Sequence, residues 1–271
     1  MLPGFFVGMV QVRMNHPFLP EHFSRMNGSC YDTAVMNTPP PTEAELSTLA
    51  QGELFHNLDA GSLLNVIQAA TRRHYAGGSF VFYQEDEANT FYVLLQGNVR
   101  MTQITPEGDQ VIVHFFGPGQ GVGIIAVLGQ FAYPLTAETV EDCLFLVWDS
   151  ELMNQLMEKY PRLATNAARM LAIRFKELQD RYRELATERV ERRIARTLLR
   201  LAKQLGKKID GGILINMPLS RRDLAEMTGT TLYTVSRVVS KWEQEGLVKT
   251  AREQVTICMP HRLVEVAEDL P

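Results

Sequence analysis

The hydrophobic and polar positions of this chain keep different periods in successive stretches. From Met1 to about Glu45, Pro, Asn, Ser and Met residues mix with no sustained period, and the stretch contains Pro39-Pro40-Pro41. That composition predicts a disordered extension, or a start assigned too early with Met26 or Met36 as the true initiator. Leu54, Phe55 and Leu58, followed by Leu63, Leu64, Val66 and Ile67, predict a short amphipathic helix. Strand patterns then take over. Residues 79–83, 91–95, 98–104, 111–116 and 143–148 are rich in aromatic and β-branched side chains. Gly77-Gly78, Gln96-Gly97, Thr105-Pro106-Glu107-Gly108-Asp109 and Gly117-Pro118-Gly119 punctuate them. Many short antiparallel strands at this spacing argue for a jelly-roll sandwich or barrel.

After Trp148 the composition is helical to about Lys208. Ala164, Ala168, Leu171, Phe175, Leu178, Tyr182 and Leu185 fall alternately four and three apart, the seam of a coiled coil. The stripe can pack on the chain's own barrel, but a seam this regular favours a straight partner, a second copy of the chain. A second helix follows, with Val190, Ile194, Leu198 and Leu201 on one face and Arg189, Arg192, Arg193, Arg196 and Arg200 elsewhere. These arginines are read equally as phosphate contacts and as ion-pair partners of Glu188 and Glu191.

Near the C-terminus Ala225, Gly229 and Val235 stand at the spacing of a helix-turn-helix. A small residue permits the close crossing of two helices, glycine takes the left-handed turn, and valine plugs the second helix onto the first. Thr230 or Thr231 can cap that second helix, whose N-terminus then favours a phosphate. Leu232, Tyr233, Ser236 and Arg237 point away from the apolar side formed by Val235, Val238, Val239 and Trp242. Arg237 is the expected base reader, because a guanidinium fork matches the O6 and N7 acceptors of guanine; Tyr233, Ser236 and Leu232 are its expected neighbours on the DNA. Residues 248–250 and 254–257 read as a hairpin with a basic tip at Arg252, a wing that grips the phosphate backbone. Arg221, Arg222, Thr230, Thr231, Lys241, Lys249 and Arg252 are the expected phosphate contacts.

Charge sharpens that picture. The net charge of −4 is an unpromising average for a DNA reader. Residues 188–271, however, hold 15 Lys+Arg against 11 Asp+Glu, and residues 1–187 hold 12 against 20. A basic module is attached to an acidic body. No run of about 18 apolar residues exists, and Phe5-Phe6-Val7-Gly8-Met9-Val10 is too short to span a bilayer, so no membrane association and a cytoplasmic location are expected. Cys30, Cys143 and Cys258 are far apart and lack metal-ligand spacing, which speaks for a reducing compartment and against an iron–sulfur cluster. No glycine-rich phosphate loop, paired-carboxylate cleft or nucleophile elbow stands out, so no enzymatic activity is expected.

Order and motifs together resemble the CRP/FNR family of regulators. The resemblance runs from about Leu54 to Val264. It is carried by the turns at Gly77, Gly97 and Gly108, by Gly117-Pro118-Gly119, by the long helix, by Arg192-Ile194-Ala195-Leu198-Leu199, and by the winged helix-turn-helix of residues 220–248. It implies an α+β chain: an antiparallel jelly-roll barrel of the cyclic-nucleotide-binding kind, a long dimerisation helix and a C-terminal winged helix-turn-helix. It further implies a homodimer on a palindromic double-stranded operator, with RNA polymerase as a partner. The divisions expected are 1–45 extension, 46–150 sensor, 151–187 linker and dimerisation helix with Leu171, Phe175, Leu178, Tyr182 and Leu185 in the seam, and 188–271 DNA-binding domain.

Departures from the family pattern bear on the ligand. Cyclic-AMP-binding members carry a Gly-Glu pair for the ribose and, further on, an Arg-Ser/Thr-Ala for the cyclic phosphate. Here the acid falls on Ile124 or Ile125 and the arginine on Leu135. A buried phosphate without its cation lacks a charge-assisted partner, so cyclic AMP is not expected. The expected pocket of Gly121, Gly123, Ile124, Ile125, Leu135 and Thr136 suits an apolar or uncharged effector. Haem, as used by some gas-sensing members, would take His56, His74 or His114 as ligand, although each histidine also reads as an ordinary loop, surface or strand residue. The alternative to effector control is a constitutive DNA-binding factor whose barrel is a scaffold. In the recognition helix, both type members have Glu where this chain has Tyr233, while Arg237 keeps the family's arginine; the half-site should therefore differ from theirs.

Overall fold

The computed structural model describes residues 35–36, 41–106, 108, 110–129 and 131–269. Most of the expected extension, with Met26 and Cys30, lies outside them. Its last part is structured. Strand β1 (Val35–Met36) pairs antiparallel with β2 (Thr71–Tyr75), and helix α1 (Glu43–Gln51) begins before the expected boundary at 45/46. A capping box explains where α1 starts: the Thr42 hydroxyl accepts from the Glu45 N–H at 3.3 Å, and the Glu45 carboxylate accepts from the Thr42 N–H at 2.8 Å. Arg72 of β2 then grips the same carboxylate at 2.7 and 2.9 Å. That grip holds the Glu45 carboxyl far below its ordinary range, at about 2.

Two antiparallel sheets form the jelly roll. One has the order β1-β2-β9-β4-β7, with β4 at Thr90–Gln96, β7 at Gly121–Val122 and β9 at Cys143–Asp149. The other runs β3-β8-β5-β6, with β3 at Phe80–Phe82, β5 at Val99–Ile104, β6 at Gln110–Phe116 and β8 at Thr136–Thr139. Tyr92, Leu94, Met101, Phe116, Phe145 and their neighbours fill the space between the sheets. The outer face of the first sheet is covered by α1, α2 (Ala60–Gln68), α3 (Ser150–Lys159) and the start of α4 (Pro161–Thr187), through Leu49, Val66, Trp148, Met153, Leu163 and Ala167. Proline at the first position of α4 supplies the fixed φ of a helix start and ends α3 beside it.

Strand β6 has two buried faces. Met101 pairs with His114 and Thr102 with Ile112, so Val113 is an extra residue, a β-bulge. The bulge shifts the alternation between its two sides. Phe116 joins the barrel interior, whereas Ile112 and Phe115 join the core of the C-terminal domain.

That domain begins with α5 (Val190–Leu205), whose Ile194, Ala195, Leu198 and Leu201 are buried. The expected helix to Lys208 stops three residues early. Residues 206–215 instead form a hairpin, β10 (Gly206–Ile209) and β11 (Gly212–Ile215), around an Asp210-Gly211 turn with Gly211 at φ 88°. It extends the wing hairpin β12 (Val248–Ala251) and β13 (Gln254–Ile257) to a sheet of order β10-β11-β13-β12. Helices α6 (Arg221–Thr228), α7 (Leu232–Gln244) and α8 (Pro260–Glu268) complete the domain around Trp242, which is fully buried.

Candidate nucleic-acid interface and internal cavity

Helices α6 and α7 form the helix-turn-helix at the expected residues. The Ser220 hydroxyl and Asp223 carboxylate make a capping box at the start of α6. Gly229 closes α6 at φ 60°, ψ 47°, a left-handed conformation in which a Cβ is strained. Of the two candidate caps for α7, Thr231 does the work, its hydroxyl accepting from the Thr234 N–H at 3.2 Å. Ala225 and Val235 are buried at the crossing. On the opposite face Tyr233 is 76% and Leu232 51% exposed, with Arg237 exposed and Ser236 half-buried beside them.

Ion pairing divides the expected phosphate contacts into two groups. Arg221 is drawn to Glu243 at 3.0 Å, and Glu243 also accepts from the Thr250 N–H at 3.1 Å and from its hydroxyl, which ties α6, α7 and the wing together. Lys241 pairs with Glu191 at 3.1 Å, a contact that raises its pKa, and Arg222 pairs with Glu226 at 3.2 Å. Arg237, Lys249 and Arg252 have no hydrogen-bond or ion-pair partner among the described residues and are exposed. The arginines of α5 are engaged internally: Arg196 with Glu188 and Glu268, Arg192 with Glu188, and Arg200 with Glu184.

Arg100 of β5 joins the two domains. Its guanidinium reaches Glu138, its cross-strand neighbour on β8, at 2.7 Å and Asp223 of α6 at 3.1 Å. Asn98 donates to the Asn216 carbonyl at 3.4 Å close by. The sequence carries no local signal for the two contacts that cross between the domains, Arg100 with Asp223 and Asn98 with Asn216, since their partners lie more than a hundred residues apart.

Between the barrel and α4 lies a cavity of about 390 Å³. Gly121, Gly123, Ile124, Ile125 and Leu135 line it as expected. Thr136 does not: it is buried on β8 with its hydroxyl accepting from the Gln84 N–H at 2.9 Å. Leu171, Phe175 and Leu178 of the expected seam form part of the roof, yet they remain 39%, 63% and 58% exposed, and Tyr182 and Leu185 are exposed beyond them. The barrel covers the other side of α4, through Leu163, Ala167 and Met170.

The lining is not wholly apolar, which corrects the expectation of an uncharged pocket. His114, Arg174, Glu177 and Arg181 all reach it. His114 is buried with its Nε2 unpartnered, and burial, followed by the charges of Arg174, Arg181 and Arg200, holds its pKa well below the ordinary imidazole value. Arg181 donates to the Val113 carbonyl that the bulge leaves outside the ladder. Burial first, then Arg200, lowers its pKa to about 10.

These residues discriminate among the cofactors of related regulators. Ile124, Ile125 and Leu135 offer a ribose hydroxyl or cyclic phosphate no hydrogen bond, so the strand side of the cavity does not fit a cyclic nucleotide. An iron–sulfur cluster does not fit the described thiols. Cys143 is buried in the barrel, its thiol pushed up to about 12 by burial, and Cys258 follows β13 in the other domain. Among the described residues no group of three His, Cys, Asp or Glu is placed to hold a metal ion. Of the three histidines considered for haem, His56 is exposed and His74 lies on β2 away from the cavity; only His114 lines it, neutral and with a free nitrogen, as an axial ligand requires. No described helix is long and apolar enough to cross a membrane.

Residues 72–160 match the cyclic nucleotide-binding domain and residues 192–266 the Crp-like helix-turn-helix domain, together more than half of the chain. The cyclic AMP receptor protein of Thermus thermophilus is 29% identical over 214 residues, covering 79% of this chain and 96% of the relative. The fumarate and nitrate reduction regulatory protein of Escherichia coli is 24% identical over 212 residues, covering 78% and 83%. A crystal structure of a CRP-family transcriptional regulator from Thermus thermophilus superposes with a TM-score of 0.61 at 28% identity, covering 72% of this chain and 96% of that one. A jelly roll of the first kind followed by a helix-turn-helix of the second is the organisation of the CRP/FNR transcriptional regulators, and this chain belongs to that family.

Proposed function

We propose that this regulator of the CRP/FNR type acts as a homodimer that reads a palindromic operator under the control of a small molecule held in the cavity. The observation that carries the DNA reading is Arg237, exposed and unpartnered on the open face of α7 among Tyr233, Leu232 and Ser236. It reads a guanine, and the three neighbours contact adjacent bases. Lys249 and Arg252 on the wing and Thr230 and Thr231 at the start of α7 take the backbone phosphates. Arg221, Arg222 and Lys241 reach phosphates only by exchanging their carboxylate partners.

The exposed stripe of Leu171, Phe175, Leu178, Tyr182 and Leu185 supports the homodimer. A monomer rarely leaves so regular an apolar row in water, and the row has the spacing of a two-stranded seam. The seam and the cavity share Leu171, Phe175 and Leu178, so a molecule in the cavity touches the residues that a second copy covers. Operator affinity then follows occupancy of the cavity. In this scheme residues 43–150 sense, 151–187 dimerise and 188–271 bind DNA, with RNA polymerase contacted at the promoter.

Selection of binding sites from random duplexes tests the reading. The parent protein should yield a two-fold symmetric consensus, and Arg237→Ala should lose one guanine preference per half-site at a cost of about 1–3 kcal/mol. An unchanged consensus and affinity in the variant would refute it. A second reading, haem in the cavity on His114, is favoured by the unpartnered Nε2. It requires a Soret band that His114→Ala removes and that His56→Ala and His74→Ala leave intact.

A further inference from the structure

The polar groups of the cavity sit together on one wall, and their charges do not cancel locally. Arg174 is satisfied: it pairs with Glu177 at 3.1 Å and with Glu53 at 3.2 Å, and it lies 5.0 Å over the Phe116 ring. Arg200 behind it is satisfied by Glu184 at 2.7 Å. Arg181 is not. Its guanidinium is partly buried, and its hydrogen bond goes to a neutral carbonyl, that of Val113; it has no carboxylate within ion-pair distance among the described residues. Glu177 and Glu184, the acids one turn before and after it on α4, are engaged by Arg174 and Arg200, and the adjacent Asp180 pairs with Arg183 at 3.2 Å. A guanidinium carries five N–H donors in a fork, so most of its capacity is unspent. On the same wall the buried His114 presents an Nε2 without a partner. Phe82, Met101, Ile124, Ile125 and Leu135 also line the cavity and offer no polar side-chain group.

A cation beside an unsatisfied imidazole, facing an apolar space of about 390 Å³, is complementary to a molecule with one anionic end and a hydrocarbon body. We propose that the cavity binds an organic acid, its anionic group accepting hydrogen bonds from the Arg181 guanidinium and from the Nε2–H tautomer of His114 on the α4 and β6 side, and its apolar body packed on the barrel wall. This deepens the reading of the cavity as an effector site and rests on it for any effect on DNA. It reverses the polarity of nucleotide-binding relatives. The anion is taken from the roof helix, not from the strand-side position that here is Leu135.

The test uses the full-length protein and three probes of equal chain length, octanoate, 1-octanol and octylammonium, by isothermal titration calorimetry. Octanoate should bind at least about 10-fold tighter than octanol, the scale of one charge-assisted contact, and octylammonium no tighter than octanol. In Arg181→Met the octanoate preference should vanish while octanol affinity stays. Arg181→Lys should keep most of the preference, and Leu135→Trp, which fills the cavity, should abolish binding of both. Equal affinity for octanoate and octanol in the parent overturns the proposal without any variant, as does a preference that survives in Arg181→Met or binding that survives in Leu135→Trp. A parallel operator titration separates the two readings. Arg181-dependent octanoate binding that leaves DNA affinity unchanged upholds the acid site and refutes only effector control by that site.

Discussion

Arg100 is where the barrel and the DNA-binding domain are joined by charge, and replacing it by Met tests how much that junction contributes. The side chain is 26% exposed, and its partners Glu138 and Asp223 are 19% and 15% exposed. The variant leaves two carboxylates facing each other where one guanidinium had neutralised both. Held on neighbouring nitrogens of the same group, they lie on the order of 5 Å apart, and at an effective dielectric constant of about 20 their repulsion is roughly 3 kcal/mol. Partial exposure lets water and counter-ions recover some of this, and exposed pairs contribute only about 0–1 kcal/mol. Breaking a buried pair costs about 3–5 kcal/mol. The expected loss lies between these, at about 2 kcal/mol.

A double-mutant cycle isolates that figure from the lost packing of the arginine stem. Asp223→Asn keeps an acceptor for the Ser220 N–H and removes the charge, so Arg100→Met with Asp223→Asn should be more stable than the sum of the single changes by at least about 1 kcal/mol. Urea unfolding at fixed protomer concentration reads this out on either side of the junction. Trp148 lies in the barrel and Trp242 in the DNA-binding domain, so Trp→Phe changes make each domain visible alone. A cycle that closes to within about 0.3 kcal/mol would show that the bridge carries no coupling, and the reasoning would fall.

Three further outcomes are expected. The Glu45 carboxyl sits near 2 when folded against an ordinary 4.5, so the unfolded chain binds the extra proton; the stabilisation is complete above about pH 5 and is lost as the pH falls towards 2. Its size is at most about 3 kcal/mol, and Arg72→Gln should flatten the unfolding midpoint across that window. Lys249→Ala and Arg252→Ala, which break no ion pair, should leave the consensus unchanged and lower the slope of log affinity against log salt by about 0.9 per phosphate contact removed, read by fluorescence anisotropy at several salt concentrations. Tyr182→Glu on the exposed stripe should shift the chain from dimer to monomer in sedimentation equilibrium at micromolar concentration while leaving thermal unfolding of the barrel in place, because the residue is 75% exposed.

What the sequence revealed was local, and what it concealed was tertiary. Ala225, Gly229, Thr231 and Val235 specify the helix-turn-helix through a crossing, a turn, a cap and a plug, each set by neighbours within a few residues. Strands β3, β4, β5, β6 and β9 were legible as aromatic and β-branched runs between turn residues, whereas β2, β7 and β8 carry no such run and were not. The hairpin of residues 206–215 was not legible: its one signal is the Asp210-Gly211 turn, and the leucines and lysines before the turn carry the composition of a helix and masked it. The pairing of Arg221 with Glu243 could not be read, because it depends on how α6 crosses α7. The polar wall of the cavity is the clearest case. Arg174 and Arg181 flank the expected seam without belonging to it, and His114 stands in a strand; only the bulge at Val113 brings a carbonyl, an imidazole and a guanidinium to one place.

That bulge also explains why this cavity is well placed to act on the other domain. Without it, β6 would alternate strictly, and Ile112, His114 and Phe116 would share one face. With it, Phe116 and His114 face the barrel interior and the cavity, while Ile112 and Phe115 face the core built around Leu198 and Trp242. The strand is at the edge of its sheet, paired only with β5, so its free side is held by side chains instead of a ladder. Arg181 supplies one of those holds, at the extra residue itself. Under the proposed acid site, an anion that draws the guanidinium towards the cavity would weaken the hold on Val113, in the strand whose opposite face packs against the DNA-binding domain. Arg100, one strand away on β5, ties that same domain to the same sheet. Coupling of this kind needs no relay across the molecule, because a single strand has the ligand on one face and the DNA-binding domain on the other.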